Sequence, residues 1–224
     1  MKSDSQLQLD VIAELKWEPL LGAAEIGVTA KDGVITLSGT VDSYGKKTEA
    51  EDAAKKVAGV SVVVEKIEIK FHSTWAKKDD NEIATEIVNA FKSNWLVPKD
   101  KVKVEVENGW VTLEGDVLWN YESDAAKNAV KNLSGVTGVS NNIHIKTPME
   151  DAVEKVTIES ALRRNWSVND KDIRVNVSGH NVTLTGTVNS WYQKDEASEI
   201  AWKAHGVWNV ENDIHVEYDY SMVD

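Results

Sequence analysis

The sequence predicts an α+β protein of three tandem αββαβ modules, each a two-layer unit with a three-stranded mixed sheet covered on one face by two helices. The first observation behind this prediction is a hairpin that occurs three times, as DGVITLSGTV, NGWVTLEGDV and GHNVTLTGTV. The copies align on Gly39, Gly115 and Gly186, which lie 76 and 71 residues apart (115−39 and 186−115). The second observation is that the flanking hydrophobic patterns realign at the same offsets, as they do in an internal repeat.

The first helix of each module is predicted from residues spaced four and eight apart, which share one helical face. The three sets are Leu7/Val11/Leu15, Ile83/Ile87/Phe91 and Glu154/Ile158/Leu162. Because the third set begins with Glu154, we expect that helix to start loosely. Pro19 and Pro98 stand where a proline can end the first two helices. Trp95 and Trp166 share one position at the helix end, where we expect them to cap the core.

A β-hairpin follows each helix, because apolar and polar residues alternate strictly in two runs joined by a turn. The first strands carry Ile26/Val28/Ala30, Val102/Val104/Val106 and Ile173/Val175/Val177. Asp-Gly at 32–33 and Asn-Gly at 108–109 are strong signals for a tight hairpin turn. The third copy has Gly-His-Asn at 179–181 instead, so its turn type is expected to differ.

The second helix is predicted from mostly small apolar residues at spacings of three, four and seven, which suit a helix lying close against a sheet. These inward residues are Ala50/Ala53/Ala54/Val57, Ala126/Ala129/Val130/Leu133 and Ala197/Ile200/Ala201/Ala204. One set of glycines lies on the apolar face of the returning strand, where we expect it to admit a helix backbone or a bulge: Gly39, Gly115 and Gly186. A second set follows the second helix, where a terminal cap would lie: Gly59, Gly135 and Gly206.

A last strand completes each module, with Ile67/Ile69, Ile143/Ile145 and Ile214/Val216 as its apolar residues. The predicted modules therefore span residues 5–71, 79–147 and 150–218. The linkers near 72–79 and 146–150 are short, so we expect the modules to touch one another. Each module is close to the lower size at which a single core folds alone, and contacts between modules are expected to add stability.

Composition excludes several classes of function. The formal net charge of −12 argues against binding to nucleic acid, which requires clustered Lys and Arg. The chain has no cysteine, so disulfides and thiolate metal sites are excluded. No apolar run approaches the ~18 residues of a transmembrane segment. The first residues, MKSDSQLQLD, lack a signal-peptide pattern, and the expected location is therefore cytoplasmic.

The sequence contains no arrangement that predicts catalysis, a cofactor or a metal. His144 and His215 occupy one position of the last strand and are expected to face solvent, without further ligands at metal-binding spacing. The nucleophile-elbow, zinc-protease and phosphate-loop motifs do not occur. We therefore expect a non-enzymatic protein without a cofactor.

Nine tryptophans against two phenylalanines make the aromatic residues the main candidates for function. One group gathers where the second strand meets the second helix: Tyr44, Trp119, Tyr121, Trp191 and Tyr192. It could close the sandwich of each module or form a contact surface.

Three further tryptophans occur where the other modules have different residues. Trp202 replaces Lys55 and Lys131, and Trp208 replaces Ser61 and Thr137. Trp110 is expected on the polar face of its sheet by alternation. Exposed apolar surface of this kind often marks an interface, so we hypothesise that Trp202 and Trp208 form a contact patch that serves either packing between modules or an external partner, and Trp110 is a similar candidate.

Three segments of the first module carry a family resemblance: DVIAELKWEP at 10–19, IGVTAKDGVITLSGTVDSYGKK at 26–47 and AAKKVAGVSVVVEKIEI at 53–69. With these segments, which recur in the other two copies, the chain resembles the BON family of bacterial modules. The resemblance implies the αββαβ fold, a non-catalytic role and an association with stress. The leading prediction is a binding or scaffold protein with a protein partner. The alternatives are a peripheral protein that binds phospholipid headgroups and a sensor of a small ligand or ion, and the oligomeric state is left open.

Overall fold

The computed structural model of the chain describes residues 2–22, 25–71, 78–146, 153–168 and 173–217. Within these residues the order αββαβ occurs three times, which confirms the α+β class. The first module comprises α1 (Asp4–Trp17), β1 (Glu25–Lys31), β2 (Val34–Val41), α2 (Tyr44–Lys56) and β3 (Val62–Ile69). The second comprises α3 (Asp80–Ser93), β4 (Val102–Glu107), β5 (Trp110–Val117), α4 (Asn120–Lys131) and β6 (Gly138–Ile145). The third comprises α5 (Lys155–Arg164), β7 (Ile173–Ser178), β8 (Asn181–Val188), α6 (Trp191–Trp202) and β9 (Asn209–Val216).

Each module has one mixed sheet in which the returning strand of the hairpin is central. β2 pairs antiparallel with β1 and parallel with β3, and the other two sheets repeat this order as β4-β5-β6 and β7-β8-β9. The register is conserved within the chain, because Gly39, Gly115 and Gly186 pair with the isoleucines of the parallel strands, Ile67, Ile143 and Ile214. The predicted mixed sheet is therefore confirmed.

The helix boundaries follow from local hydrogen bonds. The Ser3 hydroxyl accepts from the Gln6 amide at the start of α1, and Asp79 and Glu82 form a reciprocal capping box at the start of α3. α5 begins only at Lys155, and its N-cap residue, Glu154, makes no side-chain capping bond. The predicted linkers lie mostly outside the described residues, at 72–77 and 147–150.

Three separate hydrophobic cores lie between the helices and the sheets, one in each module. Their central residues are the aliphatic pairs of the returning strands, which are fully buried: Ile35/Leu37, Val111/Leu113 and Val182/Leu184. The small residues Ala53, Ala126 and Ala197 on the second helices are also buried without exposed surface. His144 and His215 are exposed on the opposite sheet faces, as expected.

The first two hairpin turns share a conformation that the third lacks. The φ angles are 50° and 78° at Asp32 and Gly33, and 52° and 78° at Asn108 and Gly109, which is typical of a type I′ turn. In the third turn, Gly179 has a φ of 61°, whereas His180 is not among the residues with positive φ. The expected change in turn type is therefore present.

The glycines of the central strands have a different role from the one expected. Gly39 and Gly115 have φ values of 133° and 141°, which side-chain-bearing residues rarely adopt. A Cβ on Gly39 would lie 2.1 Å from the carbonyl oxygen of Glu25, and one on Gly115 would lie 2.0 Å from that of Lys101. Glu25 is the first residue of β1, and Lys101 immediately precedes β4. The backbone of the adjacent strand therefore excludes a side chain at these two positions, and no close approach of a helix is needed to explain the glycines.

The glycines after the second helices shape a turn and do not cap the helix directly. α2, α4 and α6 end three or four residues earlier (59−56, 135−131 and 206−202). Gly59, Gly135 and Gly206 have φ values of 105°, 94° and 81°. They provide left-handed backbone in the connection to the third strand of each module.

The start of the second helix in each module contacts the end of the second helix in another module. Tyr44, at the start of α2, packs against the core of the second module. The next residue, Gly45, lies so close to Asn132 that an added Cβ would be 2.0 Å from its Oδ1 atom. Trp119, before α4, contacts His205 of the third module edge-on, with ring centroids 4.7 Å apart.

The third contact returns to the first module. The indole Nε1–H of Trp191, at the start of α6, donates a hydrogen bond of 3.0 Å to the carbonyl oxygen of Val60. Helices α2 and α6 also pack against each other. Because the three contacts run from the first module to the second, the second to the third and the third to the first, the modules form a closed head-to-tail ring.

Candidate functional site

Three tryptophans at the ends of the first helices are the most exposed large apolar side chains in the described part of the chain. Trp17, Trp95 and Trp166 are 83%, 88% and 96% exposed. The expectation that Trp95 and Trp166 cap the core is therefore wrong. Val97 and Val168, two residues further along, are buried in the cores instead. We call Trp17, Trp95 and Trp166 the exposed tryptophan set.

Basic residues accompany the exposed tryptophan set. The last helical turn before each tryptophan contains Lys16 in α1, Lys92 in α3, and Arg163 with Arg164 in α5. Cations are favoured at the C-terminal end of a helix by the helix dipole alone. Their position nevertheless gives each module an apolar side chain beside a positive charge, in a protein whose overall charge is negative.

Trp202 lies at the boundary between the second and third modules. Its side chain is partly buried and packs against the core of its own module. It also lines a cleft of about 690 Å³ together with Trp119 and Tyr121 of the second module. We call this the 2–3 cleft.

Trp208 and Trp110 lie elsewhere, each over its own sheet. The Trp208 ring is 40% exposed and stacks on His180 of the hairpin turn, with centroids 4.0 Å apart and planes within 6°. Trp110 is 50% exposed and lies across Gly138 of the neighbouring strand, and its Nε1–H donates to the Ser140 hydroxyl at 2.9 Å. Neither Trp208 nor Trp110 is among the residues that line the 2–3 cleft.

A second cleft lies between the third and first modules. It is lined by Trp191 and Tyr192 from α6 and by Lys55 and Lys56 from α2. We call this the 3–1 cleft. The aromatic residues at the strand–helix junctions therefore contact or face neighbouring modules, so contacts between modules account for their position better than closure of a single sandwich.

Both clefts contain an aspartate whose ionised form is disfavoured. Burial is the main cause of the raised pKa of Asp124 in the 2–3 cleft, and Lys127 opposes it. Burial also raises the pKa of Asp195 in the 3–1 cleft, where Lys55 opposes the shift and Asp52 adds to it. Burial removes hydrating water from both carboxyl groups, which disfavours the charged form.

The exposed tryptophan set was missed by the sequence prediction. The repeat places Trp95 and Trp166 at one position, but the first module has Pro19 there and Trp17 two residues earlier. A search for a tryptophan near the helix end, without a fixed position, would have found the set. Its exposure could not be read from the sequence, because Val97 is equally able to fill the core at this site.

The described residues offer no metal centre or transmembrane helix. Within the described ranges, no group of three or more His, Asp or Glu side chains is arranged to hold a metal ion. Among the same residues, no helix has both the length and the apolar character that crossing a bilayer requires. Every buried side-chain nitrogen or oxygen there has a hydrogen-bond partner, so no unsatisfied polar atom marks a ligand site.

The fold and the clefts define a tandem-repeat protein of small α+β modules. Residues 3–70, 79–147 and 151–218 match the BON domain. The chain therefore belongs to the BON-domain family.

Two further comparisons give a relative of this chain and two solved structures. It is 32% identical over 146 residues to Osmotically-inducible protein Y of Escherichia coli (strain K12), a match that covers 64% of this chain and 73% of that protein. Among solved structures, it is similar to CdsD, a structural protein of the Type III secretion system of Chlamydia trachomatis, with 14% identity, a TM-score of 0.26 and coverage of 97% and 95% of the two chains. The C-terminal domain of CdsD gives the same identity and TM-score, over 96% and 100% of the chains. TM-scores this low carry no structural argument.

Proposed function

We propose that this chain is a non-enzymatic binding or scaffold protein that uses the exposed tryptophan set to hold a protein partner. The observation that carries the proposal is the exposure of Trp17, Trp95 and Trp166 at the same end of the first helix in all three modules. A single exposed apolar side chain is ordinary in a folded protein. Three near the same end of the first helix, one in each module, indicate a shared use.

Tryptophan is suited to this use. Its large ring buries more area on binding than most side chains, and tryptophan is enriched among the residues that dominate binding energy at protein interfaces. The closed ring holds the three side chains on one framework. Three weak contacts on one framework can act together and give higher overall affinity than any one of them.

The relative from Escherichia coli suggests when this chain binds its partner. The name of Osmotically-inducible protein Y associates that protein with osmotic stress. We propose that this chain likewise acts during osmotic stress.

Position-specific photo-crosslinking tests the proposal. A photoreactive phenylalanine analogue at position 166, where the native tryptophan is 96% exposed, is expected to give discrete cross-linked protein products in the source cells after osmotic upshift. The combined variant Trp17→Ala and Trp95→Ala should weaken these products, because two of the three anchors are lost.

The matched control places the same analogue at position 110, because Trp110 is also exposed but lies on a sheet face. Products of equal intensity from positions 110 and 166 would indicate non-specific capture and contradict the proposal. A circular dichroism spectrum and an unchanged unfolding temperature would show that the variants are folded.

A second candidate function is binding to phospholipid headgroups, and the basic residues beside the tryptophans favour it. Tryptophan and Lys or Arg together are common at membrane interfaces. The net charge of −12 opposes adsorption to anionic lipid, so only the local charge supports this function.

Co-sedimentation with anionic vesicles at low and high salt distinguishes lipid binding from binding to a protein partner. Salt-sensitive binding that is lost in the Lys92→Gln and Trp95→Ala variants would favour lipid over a protein partner.

A further inference from the structure

The 2–3 cleft has the size and composition of a small-molecule site. Its volume of about 690 Å³ lies within the range of roughly 300–1,000 Å³ that is usual for ligand pockets. The second module contributes Trp119 and Tyr121 together with Asp124, and the third contributes Glu199 and Trp202. The site exists only because the two modules are in contact.

Three aromatic rings line this cleft from two directions. The rings of Trp119 and Tyr121 are inclined by only 20°, with centroids 6.4 Å apart. Trp119 is held in place by its edge-on contact with His205, and Trp202 by its packing against the core of the third module. Aromatic rings gathered around one space are the arrangement that binds organic cations through their π faces.

The charged groups of the cleft are carboxylates with one ammonium among them. Asp124 and Glu199 are acidic, and Lys203 is the basic side chain of the lining. Asp124 accepts a hydrogen bond of 2.7 Å from Nδ2 of Asn120, and Lys127, on the same helix, also interacts with it. Lys203 would repel a cation, so the excess of negative charge in the lining is small.

The equivalent 3–1 cleft differs from the 2–3 cleft in the residue opposite the aspartate. Asp195 is the counterpart of Asp124 (195−124 = 71), and Lys55 is the counterpart of Trp202 (202−55 = 147). In the 3–1 cleft Lys55 and Asp195 line the cleft from different modules, and the Lys55 charge lowers the pKa of Asp195 against the effect of burial, while the Lys55 ammonium pairs with Glu51 at 2.7 Å. In the 2–3 cleft an indole ring takes the place of that ammonium. The two clefts therefore share the aspartate, with a lysine on the other module in the 3–1 cleft and an indole ring in the 2–3 cleft.

We propose that the 2–3 cleft binds a small organic cation of the quaternary ammonium class. The alkylated ammonium group lies against Trp119, Tyr121 and Trp202, and its charge is balanced by Asp124 and Glu199. This inference does not depend on the exposed tryptophan set or on its partner.

A titration followed by nuclear magnetic resonance tests the proposal on the full chain. Tetramethylammonium and choline are added to protein labelled with ¹⁵N at the tryptophan indoles, with sodium chloride as the ionic-strength control. The indole signals of Trp119 and Trp202 are expected to shift and to saturate below about 10 mM ligand, whereas those of Trp17 and Trp166 remain unchanged. 3,3-Dimethylbutan-1-ol, the uncharged isostere of choline, should give no saturable shift.

Two variants locate the site. Trp202→Lys introduces the residue of the other two modules and supplies an internal ammonium, so choline binding should be lost. Asp124→Asn keeps the shape of the cleft and removes one charge, so affinity should fall about tenfold. Trp208→Thr introduces the residue of the second module outside the cleft and is the control that should bind normally.

Three outcomes would overturn the inference. The first is the absence of a saturable shift with either cation in the unmodified chain. The second is equal binding of choline and its uncharged isostere, which would make the cleft merely apolar. The third is a response to phosphatidylcholine vesicles without a response to free choline, which would show that the trimethylammonium group is recognised only on a lipid.

Discussion

At the scale of single residues, the glycines of the central strands are the most constrained positions. At Gly39 and Gly115 the left-handed φ angles and the adjacent carbonyl oxygens leave no room for a side chain. Gly186 of the third module shares the left-handed conformation, with a φ of 130°. A packing requirement within the backbone therefore explains why the glycines repeat.

Replacement of Gly115 by Ala should destabilise the second module by about 2–3 kcal/mol, because the Cβ would be forced against the Lys101 carbonyl in a strained backbone. Urea unfolding followed by circular dichroism measures this change. Gly22→Ala is the control. Gly22 has an ordinary helical φ of −56° and its nearest atom would be 3.6 Å from the new Cβ, so its effect should stay within about 0.5 kcal/mol. Equal effects of the two substitutions would refute the steric argument.

At the scale of elements, the second helix of each module has two roles. Its small inward residues let it lie close to its own sheet, and its two ends contact the neighbouring modules. The aromatic residues at its start differ between modules, as do the residues they meet. The contacts are equivalent in position but not in chemistry, so a ligand site can form at one boundary and not at the others.

Replacement of Tyr44 by Ala should destabilise the second module although Tyr44 belongs to the first. Its ring packs against the core that contains Ile83 and Val130, and its loss should cost about 1–2 kcal/mol. Hydrogen exchange is expected to show lower protection in α3 and α4 than in α1. Tyr192→Ala, an exposed aromatic near the same end of α6, is the comparison. Loss of protection confined to the first module would contradict this role.

At the scale of the whole molecule, closure of the ring couples the three modules. Each module is small for an independent core, and each has one neighbour at either end of its second helix. Removal of one module therefore exposes two contact surfaces at once. The whole chain is expected to unfold as one cooperative unit.

A chain that ends after residue 146 should unfold at a temperature lower by about 5 °C or more than the full chain, because Val60 and Trp119 lose their partners in the third module. Differential scanning calorimetry measures this shift. Trp191→Phe in the full chain keeps an aromatic side chain but removes the indole Nε1–H and its hydrogen bond, so its shift should be smaller. Three separate transitions in the full chain would show that the modules do not depend on one another.

The elements of each module were predictable because their signals are local. Alternation identifies strands, a spacing of three and four identifies helices, and Asp32-Gly33 identifies a turn. Assignment of Trp95 failed because two nearby residues could fill the same core position, and Val97 does so. The positions of Trp202, Trp208 and Trp110 relative to one another were likewise not predictable, since they lie in different modules or on different elements.

By itself, the sequence determined that this protein is three αββαβ modules of one family, because each module is specified by patterns that lie within about 70 residues of one another. Only the tertiary structure decided which surfaces face each other. Trp191 and Val60 are 131 residues apart in the chain, yet the Trp191 Nε1 atom lies 3.0 Å from the Val60 carbonyl oxygen. No local pattern encodes such a contact, because it depends on how complete modules pack, and the clefts and exposed tryptophans follow from that packing.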